Sequence, residues 1–338
     1  MKIAFINAYQ KTVSRGSETY IRELAKRLNN NHKVDILSGD IPSPSRWPVL
    51  WRFFLDPQGL YVALFSLKLI PKLWRQDYDV IIPTNSGWQP AFIRLLTWIK
   101  GSKMVIMGHS GIGWDDRNNL WSFPDRFIPI SKKALKWAKR AMPLVESVYI
   151  PVGVDTKKFN PKGPRVKTGL KKPIILCIGA YEPEKRIDLV IRAVSRMKNA
   201  SLLLNGRGSL EKEIKALADD LLGDRVKLSS ANYEDIDEVY RSADLFTTAS
   251  SPGSAFELVI VEAMASGLPV VVTDDEIRRN IVSDAGMFVD PEDTSLYANK
   301  LTEALKKDWK DIPRKRAVNF SWDMVAKKYD KLLDDLIK

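Results

Sequence analysis

Ser250 to Asp274 reads SSPGSAFELVIVEAMASGLPVVVTD, and the order of its parts decides the fold. A polar loop of small residues leads into a helical stretch carrying Glu257 and Glu262. Gly267-Leu268-Pro269 ends that stretch, and an apolar run, Val270 to Val272, follows. Loop, helix and all-apolar strand in this order predict a parallel sheet buried on both faces, with a ligand site at the helix N-terminus. Carboxylates in an apolar setting cost several kcal/mol to bury unless they are paired or hydrogen-bonded, and ligand hydroxyls are one candidate partner. The alternative is that both acids decorate the first turns, where the helix dipole favours them.

The same alternation extends in both directions. Ile3 to Ile6, Val34 to Leu37, Val80 to Ile82, Met104 to Met107 and Val148 to Ile150 read as short strands. Helical stretches lie between them at Glu18 to Leu28, Trp88 to Ile99 and Ser131 to Ala141. A second β-α series starts at Ile174 to Gly179, with a helix over Ile187 to Met197. Repeated β-α units predict two doubly wound α/β domains. A Pro- and Gly-bearing basic stretch from Ile150 to Lys172 separates them. The expected division is 1–152 with 322–338, the closing helix crossing back, and 153–321. Ile41 to Asp77 is an insertion, Pro-rich and then aromatic and basic, which reads as an acceptor-side or membrane-touching element or as a core-packing helix hairpin.

The residues from Phe256 to Val271 resemble the donor-sugar motif of the retaining, two-domain glycosyltransferases of family 4, which have the GT-B architecture. That motif carries two Glu eight positions apart, the second followed by Ala-Met-Ala and Gly-x-Pro-Val. Glu262 takes the place of the second Glu, which the resemblance assigns to the ribose hydroxyls. Ser254 stands where the first Glu is expected, and Glu257 lies three positions on, about one helical turn. Ile150-Pro151-Val152-Gly153-Val154-Asp155 resembles the family's interdomain signature, and Ser14 to Tyr20 its first glycine loop, with backbone approach at Gly16. Lys185 matches the lysine that clamps the nucleotide diphosphate. The arginine of that clamp is Ala180 here, and Arg186 and Arg207 are the nearest replacements, with ordinary surface charges as the alternative reading. The loop Ser230 to Tyr233 matches the segment that receives the base, through Asn232 and Tyr233. His109, in Met107-Gly108-His109-Ser110-Gly111, matches a histidine that meets the sugar from the N-terminal domain; taken alone it is a structural hydrogen-bonder as readily as a catalyst.

The resemblance implies two Rossmann-like domains facing across a cleft and transfer of a sugar from a nucleotide-diphospho-sugar with retention. It implies no metal and no other cofactor. Lys185 and an arginine would stabilise the leaving diphosphate, whose charge must be met by cations and backbone donors. Glu257, with Ser254, Phe256 and Leu258, would hold the sugar, and His109 would meet it from the opposite wall. Ala180 and Ser254 keep open a non-catalytic nucleotide-sugar-binding or scaffold protein; an epimerase of the same fold is a further alternative.

Net charge is +12, and its distribution is uneven. Residues 1–150 hold 22 Lys and Arg against 11 Asp and Glu, while residues 151–338 hold 31 against 30. Eight of the ten Trp also fall in the first half. Cations interleaved with Trp suit an anionic membrane surface. An ordinary solvated surface over core tryptophans is the alternative, and a nucleic-acid partner is not expected. The longest greasy segment, Gly59 to Ile70, is about 12 residues, short of the roughly 20 a spanning helix needs. No signal peptide is evident, and the single Cys177 excludes an intramolecular disulfide framework. The expectation is a cytoplasmic protein, peripheral at the inner face of a membrane, whose acceptor is a glycan or is lipid-linked.

Overall fold

The computed structural model describes residues 1–9, 16–39, 57–109, 111–252 and 256–338. The apolar runs of the first half become strands β1 (Lys2–Asn7), β2 (Lys33–Ser38), β3 (Val80–Pro83), β4 (Lys103–Gly108) and β5 (Arg126–Pro129). They pair in parallel in the order β2-β1-β3-β4-β5. β1, β3 and β4 are buried almost throughout, as parallel strands covered on both faces must be. One face packs on the helix Gly16–Leu28 and the closing helix Trp322–Ile337. The hydroxyls of Tyr20 and Tyr329 meet there at 2.9 Å. The other face packs on the helices Pro57–Arg75 and Trp88–Lys100.

One sequence expectation is corrected in this half. Val148 to Ile150 is not a strand. Its neighbourhood touches β5 through one bridge at Ser147 and the bond from the Val148 amide to the Phe127 carbonyl, 2.9 Å, before the chain leaves the sheet at Pro151, which has no N–H to continue a ladder. The fifth strand is instead Arg126–Pro129, too short and too close to a proline to stand out. In the insertion from Ile41 to Asp77, the described part is one helix, Pro57–Arg75. Trp47, Trp51, Arg52, Phe53 and Phe54 lie outside the described residues.

The second series gives β6 (Ile174–Ile178), β7 (Ser201–Asn205), β8 (Val226–Ser229), β9 (Leu245–Thr248), β10 (Val270–Thr273) and β11 (Gly286–Val289). All pairs are parallel, in the order β11-β10-β9-β6-β7-β8. In chain order that is the 3-2-1-4-5-6 pattern of a doubly wound sheet. The chain divides into two compact units, Met1–Val152 with Trp322–Lys338, and Gly153–Ser321. Arg314 anchors the start of the second unit, donating to the carbonyls of Thr156, Phe159 and Ala265.

Candidate active site

In the second unit the strand order reverses between β6 and β9, and open α/β sheets hold ligands in the crevice beyond the carboxyl ends at such a point. The loop after β6 runs Gly179 to Glu182 and closes in a 3-10 turn, Pro183–Lys185. It is pressed against the loop after β7, where the Tyr181 amide donates to the Arg207 carbonyl at 2.9 Å. A Cβ at Gly206 would lie 1.9 Å from the Gly179 carbonyl oxygen, so no other residue fits there. The loop after β9 is tied in from both sides. The Ser251 amide donates to the Glu184 carbonyl at 2.8 Å, and the Thr273 hydroxyl at the end of β10 donates to the Ser250 carbonyl at 2.9 Å.

Glu257 is the meeting point of these loops. It is the N-cap residue just before the helix Leu258–Ala265 rather than inside it, and its carboxylate makes no cap bond. One oxygen accepts from Lys185 Nζ at 3.0 Å and from the Ser250 hydroxyl at 2.5 Å. The other accepts from the Arg278 guanidinium, at 2.9 Å from Nε and 2.8 Å from Nη2. Arg278 is fully buried and also pairs with Asp275, the N-cap of its own helix, Glu276–Val282. Burial alone would push the Glu257 carboxyl up, but the charges of Arg278 and Lys185 and the Ser250 hydrogen bond outweigh it and hold the group below its ordinary value. Glu257 is therefore an ionised acceptor at neutral pH, able to take hydrogen bonds and unable to give a proton.

Glu262 sits lower in the same helix, buried, and accepts from the Tyr240 hydroxyl at 2.8 Å. Burial raises its pKa to about 7, against the opposing pull of the Tyr240 hydrogen bond and of Lys158. Lys158 in turn lies 4.0 Å over the exposed Tyr233 ring. Because the folded pKa lies above the ordinary 4.5, stability from this group is fully present below about pH 4.5 and is lost as pH rises through about 7. Glu262→Gln is expected to match the wild type in urea denaturation at pH 4.5 and to exceed it at pH 8, by up to about 3 kcal/mol. A difference that does not change with pH would contradict this account.

Arg186 adopts a left-handed backbone (φ 46°) and donates to the Ala249 carbonyl at 2.8 Å and to Glu292 at 3.1 Å. Its charge is already in use, so it braces the β9 loop rather than standing open. Arg207 is exposed at the end of β7 and donates to the Ser230 hydroxyl at 2.9 Å. Ala180 is exposed and brings no cation. Phe256 packs 6.0 Å from Phe320, and Leu258 leans on the apolar core. Asn232 is exposed, and its carbonyl accepts from the Asp235 amide at 3.2 Å. Ser254 lies outside the described residues, as do Ser14, Arg15 and Ser110, while Gly16 opens the first helix.

His109, in the first unit, follows β4 with its ring edge-on to Tyr20 at 4.7 Å. Burial lowers its pKa to about 4, so it is neutral at pH 7, and its buried Nε2 has no partner among the described residues. Three participants escaped the sequence reading: Arg278, Ser250 and Tyr240. Ser250 stood at the head of the stretch Ser250 to Asp274 with no role assigned to it. For Arg278 the only local signal was Asp275, three residues before it and two after the end of β10.

A sequence profile described as "Glycosyl transferases group 1" matches residues 162–335, and one described as "Glycosyltransferase Family 4" matches residues 14–158. Among curated proteins, a phosphatidyl-myo-inositol mannosyltransferase of Mycolicibacterium smegmatis is 31% identical over 188 residues, 54% of this chain and 48% of that one. A GDP-mannose-dependent monoacylated alpha-(1-6)-phosphatidylinositol monomannoside mannosyltransferase of Corynebacterium glutamicum is 26% identical over 215 residues, 55% of each chain. The match thus spans about half the length of these relatives. Among solved structures, a glycosyltransferase of Rickettsia africae aligns with TM-score 0.78 at 18% identity, over 100% of this chain and 98% of that one. The Anabaena protein HepE, solved with UDP-glucose, aligns with TM-score 0.76 at 19% identity, over 99% and 100%. At such identities the likeness is one of fold.

Proposed function

Because the chain belongs to the family of glycosyl transferases group 1, we propose that it moves a hexose from a nucleotide-diphospho-sugar to an acceptor, with retention and without a metal. The observation that carries this reading is the convergence of Lys185, Ser250 and Glu257 where the second sheet reverses its strand order. Lys185, with Arg207 as the more open second cation, meets the diphosphate. Charge that develops on a leaving group is stabilised best by donors already fixed in place. Glu257 accepts from sugar hydroxyls, Glu262 from the ribose, and the base lies against Asn232 and Tyr233. The first unit takes the acceptor, and His109 serves there as a neutral hydrogen-bonding group rather than a charged acid.

Two relatives are named for transfer to phosphatidylinositol lipids, and no described helix is long and apolar enough to cross a membrane. Together with the basic first half, this favours a lipid-linked or membrane-associated glycan acceptor, reached peripherally at the cytoplasmic side. Calorimetry with UDP, GDP and ADP tests the donor site. At pH 8, where Glu262 is ionised, one nucleotide is expected to bind at micromolar affinity, weakened about 10- to 100-fold by Glu262→Ala, as for loss of a hydrogen bond to a charged group. Binding of none of the three would overturn the reading. It would favour a non-catalytic protein instead, consistent with a Lys185 already neutralised by Glu257 and with Ala180 in place of a cation.

A further inference from the structure

The helix Trp88–Lys100 is built inside out. Its polar residues Gln89 and Thr97 are fully buried, with Gln89 accepting from the amides of Thr84 and Asn85 at 3.1 and 3.0 Å. Its half-buried Arg94 is paired with Asp125 at 2.6 Å. The exposed arc is Trp88, Ala91, Leu95, Trp98 and Ile99, without one polar side chain. Trp98 and Ile99 are 61% and 63% exposed. A helix apolar on its outer face is normally covered, since soluble surfaces seldom carry a contiguous apolar patch of this kind.

The neighbouring helix Pro57–Arg75 packs beside it on the same face of the sheet. Its outer arc continues the patch with Leu60, Leu64, Leu67 and Trp74, bordered on one side by the exposed Lys68, Lys72 and Arg75. Neither helix contains an Asp or Glu. An apolar strip with Trp at its margin and cations along one border matches the boundary between headgroups and acyl chains, where Trp and long basic side chains are both at home. A second copy is a poorer occupant. A two-fold contact of this face with itself would bring no Asp or Glu from either helix to meet Lys68, Lys72 and Arg75.

We propose that the face formed by Pro57–Arg75 and Trp88–Lys100 is an interfacial membrane-docking surface that inserts Leu95, Trp98 and Ile99 into an anionic lipid leaflet. It gives the lipid-linked acceptor reading a physical site and rests on that reading for its purpose. The apolar arc supplies the binding, and Lys68, Lys72 and Arg75 select anionic lipid, each adding roughly fivefold at low salt.

Sedimentation of the full chain with vesicles of phosphatidylcholine, alone or mixed with phosphatidylglycerol, tests this. The wild type is expected to partition onto the mixed vesicles, less so as salt rises. Leu95→Ser with Trp98→Ser and Ile99→Ser is expected to cut the partition at least about tenfold, and Lys68→Glu with Lys72→Glu to abolish the preference for anionic lipid. Both variants should keep the circular dichroism spectrum and the urea midpoint of the wild type, which shows that the unit carrying the face is folded. Absence of vesicle binding, or equal binding by the variants, overturns the proposal. So does a wild-type dimer in light scattering that the triple serine variant makes monomeric, because a second copy then occupies the face. Vesicle binding without any nucleotide affinity would support the docking face and strike only the transferase reading.

Discussion

Arg278→Met is expected to lower the stability of the unit Gly153–Ser321 by about 3–5 kcal/mol, the usual cost of removing one partner from a buried ion pair. Glu257 and Asp275 both depend on this guanidinium, and Glu257 is only 6% exposed. Without Arg278, the carboxylate keeps one cation, Lys185, and the Ser250 hydroxyl. Its pKa, now held down, would rise as burial regains the upper hand. The loss should therefore be largest above neutral pH and shrink toward pH 4, where the variant's Glu257 is largely protonated whether folded or unfolded. Urea denaturation of the variant at pH 5 and pH 8 measures it. Adding Glu257→Gln to Arg278→Met should restore much of the difference, since the uncompensated charge is then gone. A loss below about 1 kcal/mol, unchanged by the second substitution, would mean that the ion pair contributes little and that Glu257 is solvated by other means.

The parts of this site that were legible in the sequence are those whose signal is local. Short apolar runs alternating with helical stretches predicted parallel, doubly buried sheets, and the residues after each run became the loops at the carboxyl ends. Lys185 and Glu257 were singled out from motif spacing, and they meet in space although 72 residues separate them. Arg278 was invisible because its partner lies 21 residues upstream at the N-cap of another helix, with β10 between them. Nothing in the order of residues announces that an arginine after one strand will neutralise a glutamate after the previous one. Arg186 shows the reverse case. It has the right residue type at the right distance from Lys185, yet a left-handed backbone turns it onto the Ala249 carbonyl and Glu292. The tryptophans were countable but not placeable. Trp309, in the loop after the helix Thr294–Lys306, and Trp322 are core residues, whereas Trp88, Trp98 and Trp114 are more than 60% exposed, a difference set by tertiary packing.

On the proposed donor role of Lys185, Lys185→Ala is expected to leave the fold nearly unchanged and to reduce sugar transfer by about 10²–10³ in kcat, the effect of removing one fixed donor from a site where charge develops. The resting geometry explains why the two consequences separate. Lys185 is partly exposed and shares Glu257 with Arg278, so Arg278 can keep the carboxylate compensated when Lys185 swings to an incoming diphosphate. Arg278 cannot do the converse, because it is fully buried between two carboxylates. One cation thus serves the fold and the other is available for chemistry. Nucleotide affinity should fall less than kcat, since the interaction strengthens as the bond to the leaving group breaks. Lys185→Arg, which keeps the charge but not the point-like reach of an ammonium, should recover only part of the rate. Steady-state kinetics alongside urea denaturation of the same variants decides the matter. If Lys185→Ala destabilises the protein as much as Arg278→Met while nucleotide affinity stays at the wild-type level, Lys185 is a structural counter-ion of Glu257 and its role at the diphosphate falls.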